Sequence, residues 1–160
     1  MKTIQLTATF QVYSHLDELE PAVKRLMEQA RQQRNNAYAP YSNFHVGAAL
    51  QLANGEIVVG SNQENAAYPS GLCAERVAIF QAGARFPGVA ITHMAICAGA
   101  KFSVTDKPIP PCGACRQSIA EYENNQNQPI DIYFMGETGE IYRSASLENL
   151  LPLGFDKNFL

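Results

Sequence analysis

Ile4, Leu6, Ala8, Phe10 and Val12 alternate with Gln5, Thr7, Thr9 and Gln11 at the start of the chain. A period of two places one set on one face of an extended segment. Residues 3–13 are therefore predicted as a strand with one buried side, an added edge strand or subunit contact. The period then changes. Leu19, Val23, Leu26 and Ala30, widened by Met27, recur at helical spacing and predict a helix over residues 18–35. Asp17 and Glu20 have the spacing of a capping box, and Pro21 falls in the first turn, where its missing N–H costs nothing. Asn35-Asn36 and Ala39-Pro40-Tyr41-Ser42 close that helix.

Val46, Ala48 and Leu50 alternate within a strand over Phe44–Ala53, and Asn54-Gly55 predicts a type I′ hairpin turn back into Ile57-Val58-Val59. Leu72–Ala82 reads as a helix ending at Gly83 in the C′ position. Ile91–Ala98 is a short apolar run suited to a covered strand. Gly113–Tyr122 is a further helix, with the Asn- and Gln-rich Asn124–Gln128 as a loop behind it. Pro129–Met135 is a strand, Gly136–Gly139 a turn, Glu140–Arg143 a short strand, and Ser146–Leu151 a last helical turn. Helix, hairpin, alternating strand and helix, then two strands: this order predicts an α/β fold with one mixed five-stranded sheet between helix layers. The N-terminal strand predicted over residues 3–13 comes on top of those five. At 160 residues, without repeat or linker, the chain reads as one domain over 1–160, with 1–16 as an extension.

Charge narrows the partners. Twelve Lys and Arg against 15 Asp and Glu leave a net charge of −3, which argues against a general nucleic-acid binder while permitting a local basic groove. No span is long and apolar enough for a membrane helix or a signal peptide. Four cysteines, Cys73, Cys97, Cys112 and Cys115, are few for a disulfide scaffold, so a reducing cytoplasm is expected.

The candidate chemistry lies in Pro69-Ser-Gly-Leu-Cys73-Ala-Glu75-Arg76 and Pro110-Pro-Cys112-Gly-Ala-Cys115-Arg116. Cys112 and Cys115 offer two metal ligands one helical turn apart, and Cys73 a third, leaving the fourth corner of a zinc ion open to water. Glu75 follows Cys73 by two residues, and both side chains reach a metal lying off the helix's first turn. Helix N-termini beneath Cys73 and Cys112 favour thiolates, and Arg76 and Arg116 are candidates to hydrogen-bond the sulfurs, the alternative being salt bridges or carbonyl contacts. The same cysteines also admit a redox pair, or a structural zinc that recruits Cys97 as fourth ligand in a non-catalytic binding module. Cys97, in a predicted interior strand, otherwise reads as a small buried hydrophobe. His45 and His93, among apolar neighbours, read as structural rather than as ligands.

These two segments resemble the zinc-dependent cytidine deaminases of the small, homotetrameric type. The likeness continues through Tyr41-Ser-Asn-Phe44-His-Val-Gly47-Ala-Ala-Leu50, Gly60-Ser-Asn62-Gln-Glu64-Asn65-Ala66 and Leu150-Leu-Pro-Leu-Gly-Phe155. The resemblance implies the family's three-layer α/β/α fold, zinc on Cys73, Cys112 and Cys115, and Glu75 as proton shuttle. It also implies ribose binding by Asn62 and Glu64, a pyrimidine packed on Phe44, and backbone near Ala74 and Pro111 reading the ring edge. Phe155 corresponds to an aromatic inserted into a neighbouring subunit's site. The reaction implied is hydrolytic loss of the 4-amino group from cytidine or 2′-deoxycytidine in pyrimidine salvage, zinc deaminases being a known general case.

On the residues alone, Asn62 and Glu64 share one face at a strand end and together can satisfy two ribose hydroxyls, but a turn and a solvated carboxylate fit them equally. Phe44 and Phe155 alone would read as core. No cationic cluster adjoins Asn62 and Glu64, which favours a free nucleoside over a nucleotide. A deaminase of a modified or antibiotic aminopyrimidine nucleoside, similar to blasticidin S deaminase, is the rival within the same chemistry. The extension over residues 1–16 and Val77, where a threonine is frequent, depart from the family pattern.

Overall fold

The computed structural model describes residues 1–160. In chain order the elements are β1 (Gln11–Tyr13), α1 (Pro21–Arg34), β2 (Phe44–Leu52), β3 (Ile57–Ser61), α2 (Ala74–Arg85), β4 (Ile91–Ala100), α3 (Gly113–Gln126), β5 (Asp131–Met135) and β6 (Ile141–Ser144). The strands form one sheet in the order β1-β6-β5-β4-β2-β3. Only β4 and β5 pair in parallel, and α3 is the crossover that a parallel pair requires.

Alternation along the strands divides the core in two. Ala48 and Leu50 of β2, Met94 and Ile96 of β4, and Ile132 and Phe134 of β5 face Ala78 and Ile79 of α2 and Ile119 of α3. Their neighbours Ala49, Ala95, Cys97, Tyr133 and Met135 face Leu26, Met27 and Ala30 of α1. A sheet with α1 on one side and α2 and α3 on the other is the α/β/α sandwich, with one strand more than the five of the core order.

Local chemistry explains where the elements differ from expectation. The N-terminal strand is confined to Gln11–Tyr13, paired with Ile141–Arg143. β6 ends at Ser144, so earlier residues have almost no strand to pair with, and Ile4 and Leu6 remain more than half exposed. No capping box forms at α1. Glu20 precedes a proline and is pushed to φ −52°, ψ 142°, out of the helical region, so the helix begins at Pro21. Asp17 instead pairs with Lys24 at 2.6 Å.

The hairpin turn is not type I′. Gly55 alone has a positive φ, of 91°, and Leu52 N–H donates to the Glu56 carbonyl at 2.9 Å across a three-residue loop, Ala53 to Gly55. Gly83 does not end its helix, because α2 runs on to Arg85. Any Cβ at Gly83 would lie 2.4 Å from the Tyr122 hydroxyl, so the glycine admits α3 against α2. α3 runs through the expected loop to Gln126, whose side chain bonds both backbone groups of Ile91, and it is capped by Asn127 in the left-handed region.

Candidate metal and nucleoside site

The ends of two helices build the site. Cys73 is the N-cap of α2 and Cys112 the N-cap of α3, and both are extended there. Cys115 lies in the first turn of α3, fully buried. Gly60 of β3 lets α2 come this close to the sheet: a Cβ there would be 2.5 Å from the Ala74 carbonyl and 2.6 Å from the Ala78 nitrogen. The three sulfurs lie within 4.8 Å of one another, with Cys73 to Cys112 at 3.7 Å and Cys112 to Cys115 at 3.5 Å.

Those separations test the metal. Zinc–sulfur bonds of about 2.3 Å in a tetrahedron set sulfur–sulfur distances of about 3.8 Å. The thiols thus fit zinc as they stand, and no disulfide joins them. Cys97 is not a fourth ligand. It lies across the sheet among the α1-side residues, where its thiol donates to the Gly136 carbonyl at 3.2 Å.

Electrostatics favour a thiolate and a proton-carrying acid. The Cys73 thiol is lowered to about 5, first by its hydrogen bond with Cys115, then by Cys112 and by the Arg76 guanidinium. Cys115 is pushed up, chiefly because it is the partner that keeps the proton and because it is buried. Arg76 reaches the Gly71 carbonyl at 3.3 Å, while its Nε is buried with no oxygen or nitrogen to receive its hydrogen. Arg116 takes the carbonyl alternative instead, tying Pro111 at 2.8 Å and Leu150 at 2.7 Å and so bracing the turn into Cys112. Glu75 is only 4% exposed, and burial raises its carboxyl to about 7 despite its backbone hydrogen bond.

Beside the thiols opens a cavity of about 520 Å³, whose wall includes Cys73, Arg76, Asn62, Glu64, Tyr41 and Tyr68. Asn62 is nearly buried and its amide is engaged, Oδ1 accepting from Val46 N–H at 2.8 Å and Nδ2 donating to the Phe44 carbonyl at 2.9 Å. Glu64 accepts from the Tyr41 and Ser42 amides at 2.9 and 3.3 Å and from the Ser42 hydroxyl, and that hydroxyl, first, holds its carboxyl below the usual range. Phe44 is half-buried at the start of β2, Ala74 is wholly buried, and neither lines this wall. Phe155 lies elsewhere, 57% exposed and stacked on Phe159 at 5.7 Å, its carbonyl held by Gln117.

Ser42 and Tyr68 also line the cavity. No local pattern marks either as a wall residue, since the cavity joins separate loops of the chain. His93 is engaged by Thr92, Asp131 and Tyr133, as a structural histidine should be. His45 lines a separate polar cleft and is not enclosed by apolar side chains.

Three thiols at two helix starts, a buried acid beside them and an adjoining cavity define a zinc-site α/β protein of the deaminase kind. Residues 21–127 match the family described as the cytidine and deoxycytidylate deaminase zinc-binding region, and the chain belongs to it. It is similar to a cytidine deaminase of Sporosarcina psychrophila, 39% identical over 142 residues covering 86% of this chain and 94% of that protein. A cytidine deaminase of Halalkalibacterium halodurans is 41% identical, covering 81% and 91%. A crystal structure of cytidine deaminase from Burkholderia pseudomallei superposes with a TM-score of 0.71 at 38% identity, covering 82% and 97%.

Proposed function

We propose that this protein hydrolyses cytidine and 2′-deoxycytidine to uridine and 2′-deoxyuridine, releasing ammonia. The observation that carries the reading is the coincidence of a zinc-spaced thiol trio, a buried Glu75 and a cavity sized for a nucleoside at the mouth of α2. Membership of the deaminase family and relatives named cytidine deaminase point the same way.

Cys73, Cys112 and Cys115 would hold the zinc ion, which when bound supplies a Lewis acid able to activate water at neutral pH. Glu75 moves the protons. Burial disfavours its charged form, so it readily carries a proton: it takes one from water and gives it to pyrimidine N3 as the water oxygen adds to C4, then takes the remaining proton of that oxygen and delivers it to the amine as the C4–N bond breaks. Burial excludes competing solvent from that carboxyl. Arg76 draws charge from the Cys73 thiolate, and Arg116 holds the Pro111 turn in place.

Glu64 keeps one lone-pair site, on Oε1, free for a ribose hydroxyl after accepting three hydrogen bonds from the Tyr41–Ser42 loop. Asn62 acts on the ribose side chiefly by fixing the Phe44–Val46 backbone, so that Phe44 meets the pyrimidine and Ala74 its polar edge. Phe155, exposed and remote from its own cavity, completes a neighbour's site in a homotetramer. One catalytic domain spans residues 1–160, with 1–16 as an extension, and the enzyme works in pyrimidine salvage in a reducing cytoplasm, where four free thiols persist. No helix is long and apolar enough to cross a membrane.

The deciding assay follows ultraviolet absorbance with cytidine, 2′-deoxycytidine, free cytosine and an antibiotic aminopyrimidine nucleoside, with and without a chelator. Chelator-sensitive turnover of the first two is the expected result. Turnover of the antibiotic alone would replace this reading with the rival substrate.

A further inference from the structure

A second cleft, of about 360 Å³, opens at the C-terminal end of α1, lined by Arg34, Asn35, His45, Lys101, Ser103 and Glu137 among others. Its charge does not balance. Arg34 and Lys101 bring two cations against the single carboxylate of Glu137, in a chain whose net charge is −3. Glu137 accepts from Arg34 Nη2 at 2.7 Å, while Arg34 Nη1 is buried against Gly99 and bonded to nothing. The guanidinium is therefore held in a fixed place with its charge only partly answered. Lys101 enters none of the protein's ion pairs; its ammonium lies 5.5 Å from the centre of the exposed Phe102 ring.

We propose that this cleft binds a small phosphoryl-bearing anion, a site separate from the thiol centre and independent of the reaction assigned to it. A phosphoryl group brings multiple charge and several acceptor oxygens, which suits a rigid guanidinium, an ammonium on a flexible stem and further donors from Asn35, Ser103 and His45. Arg34 costs little to use because Glu137 and Gly99 have already ordered it. Lys101, on an exposed loop, supplies the adjustable charge. The open face at Phe102 leaves room for whatever the phosphoryl group is attached to.

Isothermal titration of the zinc-loaded protein with pyrophosphate, inorganic phosphate and a pyrimidine nucleoside triphosphate tests this. Pyrophosphate is expected to bind with a dissociation constant of about 1 mM or tighter at low salt, and more weakly as salt rises. Lys101→Glu, a change on an exposed loop, should weaken binding about tenfold or more, and Arg34→Gln should do the same. A triphosphate that outbinds pyrophosphate by a margin that Lys101→Glu abolishes identifies a nucleotide as the ligand of this cleft, and equal affinity identifies free phosphate. Absence of binding at about ten times that concentration overturns the proposal. So does an affinity indifferent to Lys101→Glu, which would place the anion at the thiol centre.

Discussion

Glu75 is the side chain whose environment most changes its chemistry. In the metal-free protein its carboxyl stands at about 7, against an ordinary value of 4.5, because burial disfavours the charge. The folded state then binds more protons than the unfolded one between those two values, so this group's contribution to stability falls as pH rises through that window. Over the whole window it amounts to about 3 kcal/mol. Cys73 acts in the opposite sense: its thiol is lowered from 9.0 to about 5, so its contribution is present above 9 and is lost as pH falls toward 5. Denaturant melts of metal-free wild type and Glu75→Gln, compared across pH 4.5 to 7, should isolate the Glu75 contribution as a wild-type-minus-variant difference that declines with pH, since the rising Cys73 contribution is common to both. The same variant should retain its full zinc content, measured by elemental analysis, and lose turnover by about 10²–10⁴. At Glu64 the expectation concerns the sugar. Glu64→Ala should raise KM for cytidine steeply while leaving the slow conversion of free cytosine little changed; equal losses would remove Glu64 from ribose binding. The types and spacing of the three thiols and Glu75 were readable from the chain, because ligand chemistry depends on residue type and a helical turn on spacing. The particular hydrogen-bond partners of Arg116 and Asn62 were not. Both use their polar groups on backbone atoms of segments distant in the chain, and no local pattern announces such a partner.

At the level of elements, the site depends on how α2 and α3 meet the sheet. α2 carries Cys73 and Glu75 on its first turn and rests on β3 through Gly60, where the missing side chain is filled by backbone of α2 itself. Neither contact atom is the end of a flexible side chain, so Gly60→Ala should force α2 outward. The expected cost is about 1–3 kcal/mol in thermal or denaturant melts, with zinc held more weakly in a competition titration. A variant as stable and as tight as wild type would show that α2 can shift freely. Periodicity located every strand of the sheet and all three helices, and it failed at their ends. It extended β1 across residues without a partner strand, began α1 before its proline and stopped α3 short. Ends are set by pairing, caps and contacts such as Gln126 with Ile91, whereas the interior of an element is set by which face is buried.

At the scale of the whole molecule, the proposed sharing of a site between copies of the chain can be tested. Phe155 is exposed and lies outside its own cavity, which a shared-site tetramer would explain. Phe155→Ala and Glu75→Gln, each poorly active alone, should recover activity when refolded together, because a mixed assembly pairs an intact Glu75 with an intact Phe155 from another subunit. Activity no greater than the sum of the two would confine each site to one chain. The amino-acid sequence by itself determined the layered α/β order, through hydrophobic periods of two and between three and four, and the metal chemistry, through three thiols and an acid in two short segments. Tertiary structure alone decided that Cys97 lies on the opposite side of the sheet from the other three thiols, that Arg116 braces carbonyls, and that Arg34, His45 and Lys101 converge on one cleft. Those outcomes depend on distances between segments brought together only by burial of the two core faces, and such distances are encoded in no single stretch of the chain.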